Sequence, residues 1–202
     1  MVAKAKNSAD PPAKTSIKKT KTKPPAAKKA KRQIPDTQYK VGQQIVYPLQ
    51  GVGEVQIIEE RPFRDTTFLY YIVYLDVSDM TVMVPVDKAD ELGIRAIVDK
   101  KDANRALALV SEEYEPIPTD WKMRYQLNLD LLKKGGVEDI ATVVRALYHR
   151  SKIKELPILE RKLYDSALRI LVDEISFSLD KEKKEVEQML FERLDLTRPD
   201  KR

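Results

Sequence analysis

The only tryptophan of the chain, Trp121, stands beside two cations in a stretch whose residue types suit contact with nucleic acid. Lys122 and Arg124 follow it, and Thr119 and Asp120 precede it as residues that commonly begin helices. A large apolar ring next to cations can act as a wedge at an unstacked base step of DNA. The same ring can equally serve as an anchor in a protein core.

Helical phase favours the core interpretation of this tryptophan. Apolar residues follow it at the spacing of one helix face: Trp121, Tyr125, Leu129 and Leu132. Apolar periodicity of this kind usually marks the side of a helix that faces a core. The residue pattern therefore leaves both interpretations of the ring open.

Cations are dense around the predicted Trp121 helix. Residues 122–169 carry eleven Lys or Arg side chains against six acidic ones, whereas residues 170–202 sum to −2. An uneven basic surface of this kind favours a DNA-facing side, although ordinary solvated helix surface is the alternative. The candidate contacts are Lys122, Arg124, Arg145, Arg150, Lys152 and Lys162.

The chain lacks the groups that catalysis or metal binding would need. It has no cysteine and a single histidine, His149, which the pattern places at an exposed helix end without a nucleophile or metal-ligand spacing. The glycine pair in 51–53 lacks the rest of a phosphate-binding loop. We predict no enzyme activity, metal, cofactor or small-molecule substrate.

Charge is distributed unevenly along the 202 residues. The net charge of +5 combines a balance of +10 in residues 1–33, −7 in 34–115 and +2 in 116–202. Residues 1–36 are rich in Lys, Ala and Pro and predict a disordered basic tail, which can lie along DNA phosphates or simply act as a solubilising polycation. No apolar run approaches about 18 residues and no secretory signal is visible, so we expect a cytoplasmic protein with no membrane contact.

Residues 37–90 predict a small β domain. Short alternating or apolar runs, bounded by glycine and proline, mark strands near 44–47, 54–57, 68–75 and 80–85, with 61–65 as a connector. The terminal Pro85 suits an edge strand. Four or five strands within fifty residues favour a strongly bent SH3-like or Tudor-like barrel.

Residues 91–197 predict an all-α bundle, with helical pattern beginning from Asp87. Five apolar stripes recur at helical spacing, with Gly135-Gly136 ending the Trp121 helix, Pro157 opening the fourth helix and Asp180 capping the fifth. The predicted fold class is therefore α+β and multidomain, a small β-barrel followed by a five-helix bundle.

Two blocks of the sequence form a recognisable pattern. The first block comprises 39–48, 51–53 and 80–85, and the second comprises Asp120-Trp121-Lys122-Met123-Arg124-Tyr125 with Asn128-Leu129. In both blocks the sequence resembles the CarD/CdnL family of bacterial transcription regulators. The resemblance covers roughly residues 39–195. A similar first block occurs in the transcription-repair coupling translocase, but this chain is too short for a translocase and has no P-loop.

The resemblance implies a mechanism. In this family the β domain binds the β subunit of RNA polymerase, and the helical domain contacts promoter DNA at the upstream edge of the transcription bubble. A tryptophan wedges into the minor groove and stabilises the open complex. Carried onto this sequence, the wedge is Trp121 and a nearby phosphate contact is Arg124.

The polymerase-facing residues implied by the same resemblance lie on the last predicted strand, with a contribution from the connector. They are Arg61, Thr81, Val82, Met83, Val84 and Pro85. Met83 stands where some relatives have a basic residue, and Gln126 lacks a charge that some relatives have.

We thus predict a non-enzymatic, polymerase-tethered regulator that contacts promoter DNA largely independently of sequence, as a nucleoid-associated monomer. The alternative is a histone-like or architectural protein that coats DNA through its basic tail.

Overall fold

The computed structural model describes residues 37–64, 66–113 and 118–196. The tail predicted for residues 1–36 lies outside these ranges. Within them the chain forms strands first and helices afterwards, which confirms the predicted α+β class with a Tudor-like β domain. The strands are β1 Gln44–Tyr47, β2 Gly51–Phe63, β3 Thr66–Leu75, β4 Met80–Pro85 and β5 Arg95–Ala96, and the helices are α1 Lys100–Leu109, α2 Trp121–Lys134, α3 Val137–Ile153, α4 Ile158–Leu179 and α5 Lys183–Leu196.

The five strands form one antiparallel sheet in the order β4-β3-β2-β1-β5. β3 lies between β2 and β4, as its apolar run predicts, and β4 is an edge strand. The predicted connector at 61–65 is wrong at its start, because Arg61, Pro62 and Phe63 continue β2 and pair with β3. The register of the β2–β3 ladder shifts between Val55 and Ile57, which marks a bulge that bends the long strand.

The sheet has its own apolar cluster, built from residues such as Ile45, Tyr71 and Val84. Gly53 of β2 faces Leu75 of β3 so closely that an added Cβ would lie 2.7 Å from the Leu75 Cδ2 and 2.8 Å from the Tyr74 carbonyl oxygen. The two strands can therefore approach each other here only because Gly53 has no side chain.

The segment after β4 is not helical from Asp87, contrary to the sequence prediction. A single 3₁₀ turn at Val86–Lys88 is followed by β5, whose two residues pair with β1 across the sheet. The first helix begins at Lys100, where the Asp99 side chain accepts a hydrogen bond from the Asp102 N–H at 2.9 Å. The division between domains at residues 90 and 91 stays a prediction.

The helices pack around a second apolar cluster, formed mainly by α3 and α4 with the buried sides of α1, α2 and α5. Gly135 ends α2 in the left-handed conformation at φ 74°, as predicted. Asp180 does not cap α5; it ends α4 with φ 56°, and α5 begins at Lys183. Among the described residues, no helix has both the length and the apolar character that crossing a membrane requires.

Candidate functional site

Trp121 is the first residue of α2 and is 38% exposed. The Asp120 carboxylate begins the helix by accepting a hydrogen bond from the Lys122 N–H at 2.9 Å. Buried positions further along this helix include Asn128 and Leu132, which lie on the same face as Trp121. The ring thus has the phase of a core residue but lies at the end of the helix, where the apolar cluster no longer covers it.

Arg124 lies one turn further on and is only 2% exposed. Its Nε and Nη2 donate to the two carboxylate oxygens of Glu160 at 2.7 Å each. Its Nη1 donates to the carbonyl oxygens of Pro118 at 2.7 Å and Thr119 at 3.3 Å. This placement differs from the phosphate contact expected from the sequence, because the guanidinium faces protein groups on every side.

The Arg124–Glu160 pair also shows which helix ends meet. Glu160 lies in the first turn of α4, and only four residues separate α4 from the end of α3. The starts of α2 and α4 and the end of α3 therefore share one end of the bundle, which we call the Trp121 end. Its exposed cations include Lys122, Lys152 and Lys162.

Exposed apolar side chains accumulate at the same end. Large apolar groups that face solvent there are Met123 (59% exposed), Ile153 (65%), Ile158 (76%) and Leu159 (48%). Lys152 Nζ lies 4.6 Å from the centroid of the Tyr148 ring, which holds one cation against the bundle. The Trp121 end therefore combines apolar surface with positive charge, the two properties that a contact with an unstacked DNA junction uses.

Arg145 and Arg150, the other predicted basic contacts, are both partly buried on α3. Arg145 Nη1 donates to the Leu109 carbonyl oxygen at 2.9 Å and lies 3.7 Å from the Glu112 carboxylate, so it ties the end of α1 to α3. Arg150 lies in the last turn of α3, where a cation is favourable to the helix dipole. Of the two, only Arg150 is near the Trp121 end.

His149 was predicted to lie at an exposed helix end, and that prediction is wrong: the residue is 2% exposed. Burial lowers the pKa of His149, and the positive charge of Arg145 lowers it further. Burial therefore favours the neutral imidazole, and its ring lies edge-on to Tyr148 at a centroid separation of 5.6 Å.

β4 was expected to be the last strand, but β5 follows it in the chain. The side chains of β4 alternate between the two faces of the sheet. Thr81 and Met83 are exposed, Val82 is half-buried and Val84 is buried. β4 has a neighbouring strand on one side within the described sheet, so its other edge presents main-chain N–H and C=O groups to the surroundings. Contact with a partner here would therefore use the β4 main chain together with Thr81 and Met83, and would not reach the Val84 side chain.

An apolar row crosses the outer face of the sheet beside this edge. Ile57, Ile72 and Met83 are cross-strand neighbours on β2, β3 and β4. Ile57 is 51% exposed and Met83 48% exposed. Arg61 lies further along β2, where its Nη2 is 2.6 Å from the Glu59 carboxylate. The sequence prediction included Met83 and Arg61 and missed Ile57.

A third group joins the sheet to the helices. Arg95 of β5 donates from Nη2 to Glu174 of α4 at 2.9 Å and from Nε to the Gly135 carbonyl oxygen at 2.8 Å. Its Nη1 also pairs with Glu174. The Glu174 side chain is fully buried, whereas that of Arg95 is 26% exposed. This contact ties β5 to the end of α2 and to α4, and no local signal in the sequence indicates it.

Two family models match the chain in the order of its two structural parts. The model described as "CarD-like/TRCF RID domain" matches residues 39–98, and the one described as "CarD, C-terminal domain" matches residues 105–191. The chain is also 33% identical over 137 residues to a Bacillus subtilis (strain 168) protein called "Putative transcription factor YdeB". The aligned region covers 68% of this chain and 90% of that relative.

The sheet with its open edge, the helical bundle and both matches define a two-part transcription factor. The chain belongs to the CarD family. The resemblance predicted from the two sequence blocks is thereby confirmed.

Proposed function

We propose that this protein binds the β subunit of RNA polymerase through its sheet and stabilises the promoter open complex through the Trp121 end. The observation that carries the proposal is the 38% exposure of Trp121 at the start of a well-anchored helix, in a family of transcription factors. Trp121 shares a helix face with buried residues but remains partly exposed, so its ring is available to a partner.

The polymerase contact uses β4. An edge strand can extend the sheet of a partner through main-chain hydrogen bonds, while outward side chains provide specificity. Thr81 and Met83 point outward, and Ile57 provides further exposed apolar surface on the far side of Ile72, which is itself buried between them. Pro85 ends the strand, and the exposed guanidinium of Arg61 on β2 could pair with an acidic group of the partner.

The DNA contact is weak by itself and acts because it is tethered. Binding polymerase raises the effective concentration of the Trp121 end near the promoter. A ring that fits an unstacked junction better than closed duplex shifts the equilibrium toward the open state by its differential affinity alone. A preference of about 1.4 kcal/mol would change the ratio of open to closed complexes tenfold.

This mechanism needs no enzyme activity, cofactor or small-molecule substrate, and a monomer at the nucleoid suffices. The cations that neutralise phosphate in the proposal are Lys122, Arg150, Lys152 and Lys162, which supply a sequence-independent contact. Arg145 and Arg124 contribute through the structure of the bundle.

The wedge is tested by Trp121→Ala in the full-length protein. We expect the half-life of the open complex to fall about tenfold, while polymerase binding is unchanged and unfolding stability falls by at most about 1 kcal/mol, as for surface positions. Phe177→Ala is the matched control, because Phe177 is an aromatic residue with 40% exposure on α4. A loss of about 3–5 kcal/mol with Trp121→Ala, the range for a deleted core tryptophan, would refute the wedge.

The polymerase contact is tested separately by Met83→Asp. We expect affinity for the β subunit to fall by at least about tenfold, because a charge then interrupts the apolar row. Met123→Asp changes another exposed methionine, 59% exposed on α2 against 48% for Met83, and should leave this affinity unchanged. If Met83→Asp and Met123→Asp bind the β subunit with the same affinity, polymerase binds a surface other than the one around Met83.

The alternative, an architectural DNA-coating protein that uses the basic tail, predicts a different result. Removing residues 1–33 would then abolish function at promoters, while Met83→Asp would have no effect. The match of residues 39–98 to the "CarD-like/TRCF RID domain" model favours the tethered mechanism, because a protein that coats DNA through its tail has no need of this acidic sheet domain.

A further inference from the structure

The start of α2 is held by a side chain that belongs to the helix itself. Arg124 makes a two-pronged contact with Glu160 and turns its remaining Nη1 back to the Pro118 and Thr119 carbonyl oxygens. These two carbonyls belong to the segment that leads directly into Trp121. One guanidinium thus joins three things: the first turn of α4, the first turn of α2 and the chain that enters α2.

The burial of this contact gives it unusual rigidity. The side chains of Arg124 and Glu160 are 2% and 0% exposed, so water does not compete for their hydrogen bonds. Planar guanidinium and carboxylate groups that pair through two parallel bonds also fix their mutual orientation. Glu160 is further favoured by its position in the first turn of α4, where the helix dipole stabilises negative charge.

We propose that the Arg124–Glu160 pair is a positioning device for the Trp121 ring. The apolar cluster leaves this ring partly uncovered, so packing alone does not determine its direction. The pair supplies the missing constraint by fixing both the helix start and the carbonyls before it. Its role in open-complex stabilisation rests on the function proposed above, whereas its effect on the ring does not.

Single removal of either partner is a poor test, because it leaves a buried charge without its counterpart and can unfold the protein. The informative variant is the double substitution Arg124→Met with Glu160→Leu, which replaces both charges by apolar groups of similar size. Such replacements are often neutral for stability or stabilising. Arg124→Lys is the second variant, since it keeps the charge but cannot bond both carboxylate oxygens and both carbonyls at once.

Tryptophan fluorescence reports on the surroundings of Trp121 alone, because the sequence contains no other tryptophan. In either variant of the full chain, we expect its fluorescence emission to shift to longer wavelength with the helical circular dichroism unchanged. We also expect its acrylamide quenching constant to rise about twofold, since the ring is now 38% exposed and would gain access to solvent. Arg105→Met, which breaks the exposed Arg105–Glu138 pair at 2.8 Å, should change neither quantity.

A folded variant whose emission and quenching match the wild type would overturn the proposal, because the ring would then hold its place without the pair. If the double variant does not fold, the Arg124→Lys result decides. The half-life of the open complex is measured for the same variants. The double variant and Arg124→Lys should each shorten it, but neither should shorten it further when Trp121→Ala is already present. A displaced ring with an unchanged half-life would leave the positioning role intact and refute the wedge function.

Discussion

Replacing Arg95 by methionine should destabilise the full chain by about 3 kcal/mol. Arg95 joins β5 to the helices through Glu174 and the Gly135 carbonyl oxygen. The substitution would leave the Glu174 carboxylate fully buried, with the Val98 N–H at 3.3 Å as a remaining donor.

The magnitude follows from burial. Breaking a buried ion pair by removing one partner costs about 3–5 kcal/mol, because the other charge stays desolvated. The Arg95 side chain is 26% exposed, so water can replace part of the lost contact and the lower end of that range applies. Methionine keeps the apolar length of the side chain and limits any cavity.

The loss of unfolding free energy can be measured by urea denaturation monitored by circular dichroism. It is obtained from the shift in the urea midpoint, provided that the m-value is the same in both proteins. Arg105→Met is the control, since its pair with Glu138 is exposed at 60% and 44% and should be worth less than about 1 kcal/mol. Adding Glu174→Met to Arg95→Met should restore most of the loss. An Arg95→Met variant no less stable than Arg105→Met would refute the view that this contact is a buried ion pair that holds the sheet on the helices.

Two further outcomes are expected. The pKa of His149 is lowered in the folded state, so the unfolded chain takes up a proton first as the pH falls below about 6.5. Lowering the pH from about 7.5 to 5.5 should therefore reduce the stability of the wild type more than that of His149→Gln. Equal drops in the urea midpoints of the two proteins would exclude this contribution. Deleting residues 1–33 removes eleven cations and should make DNA affinity depend less steeply on salt concentration, while polymerase binding persists. DNA titrations at several salt concentrations measure this dependence. If its slope is unchanged, the tail does not contact DNA.

The regular elements were predictable because local signals agree with the packing. The caps at Asp120, Gly135 and Pro157 mark real helix ends, and the apolar run of β3 marks a central strand. β5 escaped prediction, since two residues carry no periodicity and are held by pairing with distant β1.

The exposure of Trp121 could not be derived from helical phase. Phase gives the direction in which a side chain points but not how far a core extends along the helix, and the cluster ends before the first turn of α2.

The burial of Arg124 has a signal in the sequence of α4. Glu160 stands on the apolar stripe of α4, in phase with Leu163, Tyr164 and Ala167, and all four are buried. An acidic residue at a core position requires a buried cation, and the one that it binds lies 36 residues earlier in the chain. Glu174 follows the same rule, with Arg95 as its cation.

The short strand β5 also has a consequence for the order of folding. Two to four residues separate each of β1 to β4 from the next strand, so these strands can assemble locally, but β5 pairs with β1 only after the chain has passed through β2, β3 and β4. β5 also carries Arg95, so the strand that completes the sheet contacts α4 through Glu174 and the end of α2 through the Gly135 carbonyl oxygen. The sheet and bundle should therefore lose structure in one cooperative transition, and a fragment ending before Arg95 would leave the β1 edge open to pairing with other chains.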